Sequence, residues 1–173
     1  MKETEKPSGP SDKTIAAVCG LYCEACRYFI STMEDPERLK WLAAQANMTE
    51  DEARCYGCRS EKRIPFCATC KMSSCAAERG IDFCGECTEY PCDELNAFQA
   101  ARPHRIELWA NLDRIRAVGY RQWLKEIRGH YTCPQCRTLN STYDLKCRKC
   151  GQEPSCEYVA QHRSAIEQAL KTR

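Results

Sequence analysis

The chain of 173 residues contains sixteen cysteines and only three histidines. Most of the cysteines come in pairs separated by two residues, a spacing that forms a tight turn and presents two thiolates to one metal ion. Small domains bury little apolar surface, so they need additional cross-links, which thiolate-bound metal ions can supply. The sequence therefore predicts a protein held together by several metal sites. The pairs are Cys23/Cys26, Cys55/Cys58, Cys67/Cys70, Cys84/Cys87, Cys133/Cys136 and Cys147/Cys150.

Disulfide bonds are the alternative role for so many cysteines. The first thirteen residues, MKETEKPSGPSDK, contain no apolar segment of the kind found in secretory signal peptides. No apolar run in the chain is long enough for a transmembrane helix. We therefore expect a cytoplasmic protein with reduced thiols and no membrane partner, which favours metal sites over a disulfide framework.

The most specific motif lies in the C-terminal part of the chain. Cys133 and Cys136 form one pair, and Cys147 and Cys150 follow after ten residues as a second pair. Two such turns joined by a short β-hairpin are typical of a zinc ribbon. Four thiolates close a tetrahedron around Zn²⁺ and leave no open position, so the sequence predicts a structural site. Rubredoxin-type iron uses similar turns, and the identity of the metal stays open.

The central cysteines contain an internal repeat. The pattern C-x2-C-x4-C occurs twice, displaced by 17 residues, and a further pair precedes it. Eight thiolates suffice for two sites with four ligands each. The spacing does not decide whether these sites take their ligands in sequence order or interleaved. The eight candidate ligands are Cys55, Cys58, Cys67, Cys70, Cys75, Cys84, Cys87 and Cys92.

The first cluster, Cys19, Cys23 and Cys26, has the spacing with which radical S-adenosylmethionine enzymes hold a [4Fe–4S] cluster. Those enzymes need a large α/β barrel, and this chain is too short and lacks alternating strands and helices. We therefore expect three ligands of a closed site, completed by a central cysteine, Cys156 or a histidine. Cys156 lies on the apolar side of a predicted helix, which favours a buried free thiol. In total we predict about three or four Zn²⁺ ions, with a [4Fe–4S] cluster at the N-terminal cysteines as the alternative.

Hydrophobic periodicity, caps and breakers predict a mostly α-helical chain with irregular cysteine-rich segments. The three tryptophans fall in helices with apolar neighbours and are expected in the core. We expect a metal-stapled fold in which residues 1–14 form a disordered tail, 15–128 a metal-binding core with a helical second half, and 129–173 the zinc ribbon followed by a helix. The predicted helices cover residues 36–47, a short segment before Cys55, a turn at 75–79 stopped by Gly80, 93–101, 104–128 with a break at Gly119, and 155–170.

The net charge of +2 hides an asymmetry between the two parts of the chain. Residues 1–101 carry 12 Lys/Arg and 17 Asp/Glu, whereas residues 102–173 carry 14 and 7. The basic part could meet an acidic protein or nucleic acid. No basic run is dense enough for a nucleic-acid-binding arm, so attraction between the two parts, or a solvated surface, is favoured.

Four motifs together resemble a known family. CGLYCEAC at 19–26, CYGC at 55–58, CATCKMSSC at 67–75 and FCGECTEYPC at 83–92 are similar to the cysteine-rich bacterial and archaeal family named domain of unknown function 3795. The resemblance covers about residues 15–100 and implies metal binding without an established activity. The cysteines at 133–150 lie outside it, as an appended module.

Motifs of catalysis are missing from the sequence. No phosphate-binding glycine loop occurs, and His104, His130 and His162 stand apart from each other and from any metal-binding spacing. The sequence therefore does not identify an enzyme. The leading hypothesis is a zinc-binding module with structural sites that engages a protein or nucleic acid. The alternative is an iron–sulfur redox or sensor protein.

Overall fold

The helices are joined by turns and irregular segments, the longest of which, in the described part of the chain, covers residues 131–156. The structure, a computed structural model, describes residues 12–172; of the predicted tail, residues 1–11 lie outside this range. Short 3-10 turns occur at Lys13–Ile15, Cys23–Ala25, Cys84–Glu86 and Pro103–Arg105. The α-helices of the described residues are α1 (Arg27–Glu34), α2 (Pro36–Gln45), α3 (Glu50–Ala53), α4 (Pro65–Ala68), α5 (Lys71–Arg79), α6 (Asp93–Ala100), α7 (Leu108–Val118), α8 (Tyr120–His130) and α9 (Glu157–Lys171).

Local caps explain where several helices begin and end. The Asp35 side chain accepts a hydrogen bond from the Arg38 amide at 3.0 Å, which starts α2 with a proline at its first position. Thr49 and Glu52 form a reciprocal capping box at α3. Gly80, with φ +65°, ends α5 in the left-handed conformation. These signals act between near neighbours, and the helices that depend on them are confirmed.

The structure also departs from the predicted helix boundaries. Helix α5 begins at Lys71, four residues before the predicted turn. The break at Gly119 is confirmed, and its φ of +81° separates α7 from α8. Helix α1 was not predicted, because its N-cap is Cys26, which makes no side-chain capping bond. A helix without a capping residue offers little local signal in the sequence.

One cluster of buried residues joins the N-terminal cysteine-rich segment to the C-terminal helix. Trp123, which is 1 % exposed, lies against Tyr22, and Tyr131 stacks on Tyr158 with ring centroids 5.0 Å apart. The prediction that the tryptophans lie in the core is confirmed for Trp123 and wrong for Trp41, which is 56 % exposed. Helix α9 therefore packs on the same core as the cysteine-rich segment. No helix within residues 12–172 has the length and apolar composition that a bilayer crossing requires.

The predicted β-hairpin zinc ribbon is wrong. Between α8 and α9 the structure forms turns, and the only strand-like pairing in this segment, residues 131–156, is an isolated bridge between Thr132 and Leu139. The side chain of Asn140 explains the difference. It accepts from the amide of Arg148 and donates to the carbonyl of Ser155, so these two backbone groups bind a side chain instead of a β-ladder. The fold class is therefore mostly helical, and no sheet occurs in the described part of the chain.

Candidate metal centre

Four cysteines of the C-terminal part converge on one point. The sulfur atoms of Cys133, Cys136, Cys147 and Cys150 all lie within 4.8 Å of one another. The Cys133 and Cys150 sulfurs are 3.7 Å apart, and the Cys136 and Cys147 sulfurs are 3.5 Å apart. A Zn–S bond of about 2.3 Å gives a tetrahedron of sulfurs with an edge of about 3.8 Å. These four thiols, which we call the C-terminal cysteine site, can therefore hold one metal ion.

Both cysteine pairs are built on the same backbone turn. The amide of Arg137 donates to the carbonyl of Cys133 at 3.0 Å, and the amide of Gly151 donates to the carbonyl of Cys147 at 2.9 Å. Arg137 and Gly151 have φ values of +63° and +76°. The left-handed residue after each pair turns the chain away from the sulfurs. The site lies at the surface of the fold, since Cys133 and Cys147 are buried but Cys150 is exposed.

The fully buried Asn140 connects the C-terminal cysteine site to its surroundings. Its side-chain nitrogen lies 3.6 Å from the sulfur of Cys147 and 3.0 Å from the carbonyl oxygen of Thr138. Its side-chain oxygen accepts from the amide of Arg148 at 3.0 Å. A partner of this kind orients a metal ligand and stabilises its charge. Sequence reasoning missed Asn140, because one amide in a polar linker is an ordinary residue until its burial is known.

Hydrogen bonds around the C-terminal cysteine site set the acidity of its thiols. Those with Thr138 lower the pKa of Cys136 to about 6. Burial acts to raise the pKa of Cys147, but hydrogen bonds from the amides of Cys150 and Lys149 and from the Asn140 side chain outweigh it and the pKa is lowered. The amide of Gln152 acts to lower the pKa of Cys150, but burial and the neighbouring thiols outweigh it and raise that pKa to about 12. The thiolate is the form that binds metal, so Cys136 and Cys147 are the thiols closest to that state.

Ion pairs tie the C-terminal cysteine site to the first two helices. Arg38 of α2 binds Asp144 at 2.7 Å, with side chains 20 % and 10 % exposed. Arg148, which lies between the last two ligands, pairs with Glu34 of α1 and donates to the carbonyl of Leu139 at 2.8 Å. The orientation of α1 and α2 is therefore linked to the loops that carry the ligands.

A groove of about 440 Å³ runs between α1 and the C-terminal cysteine site. Arg137 and Lys149, which stand next to Cys136 and Cys150, are exposed on its rim, and neither forms an ion pair within residues 12–172. Two other basic side chains on the rim are paired with acidic neighbours. We call this feature the basic groove; its lining consists of Glu24, Phe29, Ile30, Met33, Glu34, Arg128, Arg137, Thr138, Leu139, Arg148 and Lys149.

The first eleven cysteines are spread over two neighbourhoods. Among residues 12–172, the C-terminal cysteine site is the only group of three or more candidate ligands that lie within 4.8 Å of one another. In the first neighbourhood the amide of Cys58 lies 3.3 Å from the sulfur of Cys23, and burial, followed by the charge of Cys26, raises the pKa of Cys55 to about 12. Its members are Cys23, Cys26, Cys55, Cys58 and Cys67.

The second neighbourhood lies between α5 and α6. Burial, followed by the charges of Cys92 and Cys75, raises the pKa of Cys84 to about 12. Cys75, Cys84, Cys87 and Cys92 line one small cavity. Cys19 and Cys70 lie between the two neighbourhoods, since each is close to members of both. The two copies of the sequence repeat therefore do not form two separate groups in the structure, because Cys75 of the first copy lies with the three cysteines of the second.

Cys156 and the histidines lie outside these groups. Cys156 is 1 % exposed, belongs to the core and stands at the N-cap position of α9, so the prediction that it is buried is confirmed. His104 contacts the hydroxyl of Tyr143 at 2.7 Å. His130 and His162 both bind one oxygen of Glu107, a cluster that no sequence spacing indicated.

Comparison with known families agrees with the pattern of the first cysteines. Residues 15–97 match the model of the family described as a protein of unknown function, DUF3795. The match supports the resemblance for the cysteine-rich segment and ends before the C-terminal cysteine site. No curated protein and no solved structure matches the chain.

Proposed function

We propose that this protein is a zinc-stabilised binding module. In this proposal the C-terminal cysteine site holds one structural Zn²⁺, and the basic groove beside it binds an acidic segment of a partner protein. The observation that carries the proposal is the convergence of four thiols within 4.8 Å directly beside two exposed, unpaired basic side chains.

The donor set supports a structural role for the metal. Four thiolates complete the tetrahedral coordination of Zn²⁺ and leave no position for water or substrate. Rubredoxin-type iron takes the same ligands, so the choice of zinc is part of the proposal. The connecting loops contain no sheet in the described structure and are held by side-chain contacts such as those of Asn140 and Asp144, to which a bound metal ion would add a further cross-link. Metal binding therefore contributes directly to the stability of these loops.

The lining of the groove supports a peptide over a nucleic acid. Its apolar side chains include Met33, which is 37 % exposed although it is large and apolar. An apolar side chain of a peptide can pack against these residues, and the basic side chains on the rim can pair with acidic residues next to it. Glu24 and Glu34 also line the groove, where they pair with Arg128 and Arg148, so the rim offers two unpaired charges, which suit a few carboxylates better than a continuous phosphate backbone. A partner segment that combines one or two apolar residues with several carboxylates fits both features.

Binding of a defined peptide tests the proposal. The probe is a fluorescent peptide with one phenylalanine flanked by glutamates, titrated with the full chain purified with zinc. We expect the double variant Arg137→Glu/Lys149→Glu to weaken binding at least tenfold, because it reverses both unpaired charges on the rim. The matched control is Arg121→Glu/Lys125→Glu, which reverses two exposed charges of α8 away from the groove and should leave the affinity within about twofold.

Equal losses in both variants would show that the probe responds to overall charge, and the groove would be rejected. If the protein binds a single-stranded or duplex oligonucleotide more tightly than the peptide, the proposed peptide partner is wrong and a nucleic acid takes its place. A chelator that strips the metal should abolish peptide binding, because the rim residues adjoin the ligands. Unchanged binding by the metal-free chain would contradict the link between the metal and the groove.

A further inference from the structure

Four thiols surround a small cavity that is separate from the C-terminal cysteine site. The cavity has a volume of about 50 Å³ and lies between α5 and the segment that leads into α6. Its walls carry almost no nitrogen or oxygen atoms. Four cysteines from three different segments therefore face one apolar space. The lining consists of Lys71, Met72, Cys75, Ala76, Ile81, Cys84, Cys87, Tyr90, Cys92, Glu94 and Leu95.

The spacing of these thiols differs from that of the C-terminal cysteine site. Within residues 12–172, no three of them lie within 4.8 Å of one another. A water molecule needs about 10 to 15 Å³ of such space, so the cavity has room for several atoms rather than for one ion. A cubane cluster requires such room, because its sulfide-bridged irons stand between the four cysteine ligands.

The surroundings of Cys87 suit an anionic sulfur. Its sulfur lies 3.4 Å from a guanidinium nitrogen of Arg79 and 3.4 Å from the amide nitrogen of Glu89. Arg79 is itself held by the Glu89 carboxylate at 2.6 Å. Hydrogen bonds to sulfur are among the interactions that stabilise iron–sulfur clusters and tune their potentials.

We infer that Cys75, Cys84, Cys87 and Cys92 hold a [4Fe–4S] cluster in this cavity. All four irons then have a cysteine ligand, so the cluster has no open iron for a substrate. The inference does not depend on the basic groove or on the metal in the C-terminal cysteine site. The first copy of the sequence repeat then supplies one ligand of the cluster, and the second copy supplies the other three.

Metal and sulfide analysis of the full chain tests the inference. The protein is purified without oxygen from cells grown with added iron, and iron, acid-labile sulfide, zinc and the visible spectrum are measured on each sample. We expect about four iron and about four sulfide per chain and a brown colour in the wild type. Cys84→Ser/Cys87→Ser should lose the iron, the sulfide and the colour.

The matched control is Cys147→Ser/Cys150→Ser, which should keep the iron and sulfide. Its zinc content tests the C-terminal cysteine site separately, so failure of one site can be told from failure of the other. A colourless wild type with zinc in place of iron would overturn the cluster, and that sample does not depend on the folding of any variant. Iron that remains in Cys84→Ser/Cys87→Ser would overturn the ligand set.

Discussion

Two histidines share one carboxylate oxygen, and this arrangement predicts how the stability of the protein depends on pH. An oxygen of Glu107 lies 2.9 Å from Nε2 of His130 and 2.7 Å from Nε2 of His162, and all three side chains are less than a fifth exposed. Burial acts to lower the pKa of His130, but Glu107 and Glu157 outweigh it and the pKa is raised. Burial acts to raise the pKa of Glu107, but the two histidines outweigh it and the pKa is lowered.

The direction of each pKa shift determines whether the interaction stabilises the fold more at low or at high pH. A raised histidine pKa gives stability that is complete below the unfolded value of about 6.5 and is lost as the pH rises through the folded value. A lowered carboxylate pKa gives stability that is present above about 4.3 and is lost as the pH falls through the folded value. The interaction of Glu107 with His130 therefore stabilises the fold most between about pH 4.5 and 6.5, and less towards alkaline pH.

Glu107→Gln removes the charge that both histidines bind. With two charge-assisted hydrogen bonds in a mostly buried site, we expect the free energy of unfolding to fall by about 2 to 3 kcal/mol at pH 6. The loss should shrink as the pH rises to 9, because His130 is then neutral in the wild type too. Urea unfolding followed by helical circular dichroism, in zinc-buffered solution, measures both values. Zinc binding tightens with pH in both proteins, so this effect cancels in the difference.

Glu126→Gln is the matched control. Glu126 binds Arg114 at 2.7 Å, its pKa is lowered to about 2 by the hydrogen bond from that guanidinium, and it has no histidine partner within residues 12–172. The loss of stability in Glu126→Gln should be small and should be the same at pH 6 and pH 9. A loss in Glu107→Gln that is independent of pH would refute the assigned role of His130.

Three further predictions concern packing and charge. Gly57→Ala should lower the free energy of unfolding by at least about 2 kcal/mol, because its φ is +114° and the added Cβ would stand 2.4 Å from the carbonyl oxygen of Thr14. Gly129→Ala, in the open surroundings of α8, should instead raise it by up to about 1 kcal/mol, and thermal unfolding of both variants decides this. Arg38→Met should lower the free energy of unfolding by about 2 kcal/mol, since the Asp144 carboxylate, 10 % exposed, loses its guanidinium partner and keeps the hydrogen bond from the Ser141 amide. Equal unfolding midpoints for Arg38→Met and the wild type would refute that reasoning.

The parts of the fold that could be predicted from the sequence depend on near neighbours. The cap at Asp35 and the box of Thr49 with Glu52 lie within one turn of the helices they start, so their residue types are sufficient. The C-terminal cysteine site follows the same logic, because each of its pairs forms a turn of four residues. The sequence does not indicate which other element packs against the apolar face of each helix. Periodicity placed Trp41 on a helix with apolar neighbours, but more than half of its surface remains exposed in the structure.

The grouping of the first eleven cysteines could not be predicted for a related reason. A C-x2-C spacing determines that two thiols point the same way but not which distant pair meets them. In the structure Cys75 leaves its own repeat to join Cys84, Cys87 and Cys92, because α5 carries it across the cavity. The error at the predicted β-hairpin arose from Asn140, whose burial and hydrogen bonds depend on the packing around residues 139–155.

The zinc content of the full chain and of Cys147→Ser/Cys150→Ser tests the central claim most directly. Both proteins are purified without oxygen and without added chelator, and zinc per chain is measured by elemental analysis. The account predicts that the variant contains about one zinc ion per chain less than the wild type. An equal zinc content in the two proteins would contradict the assignment of a zinc ion to the C-terminal cysteine site.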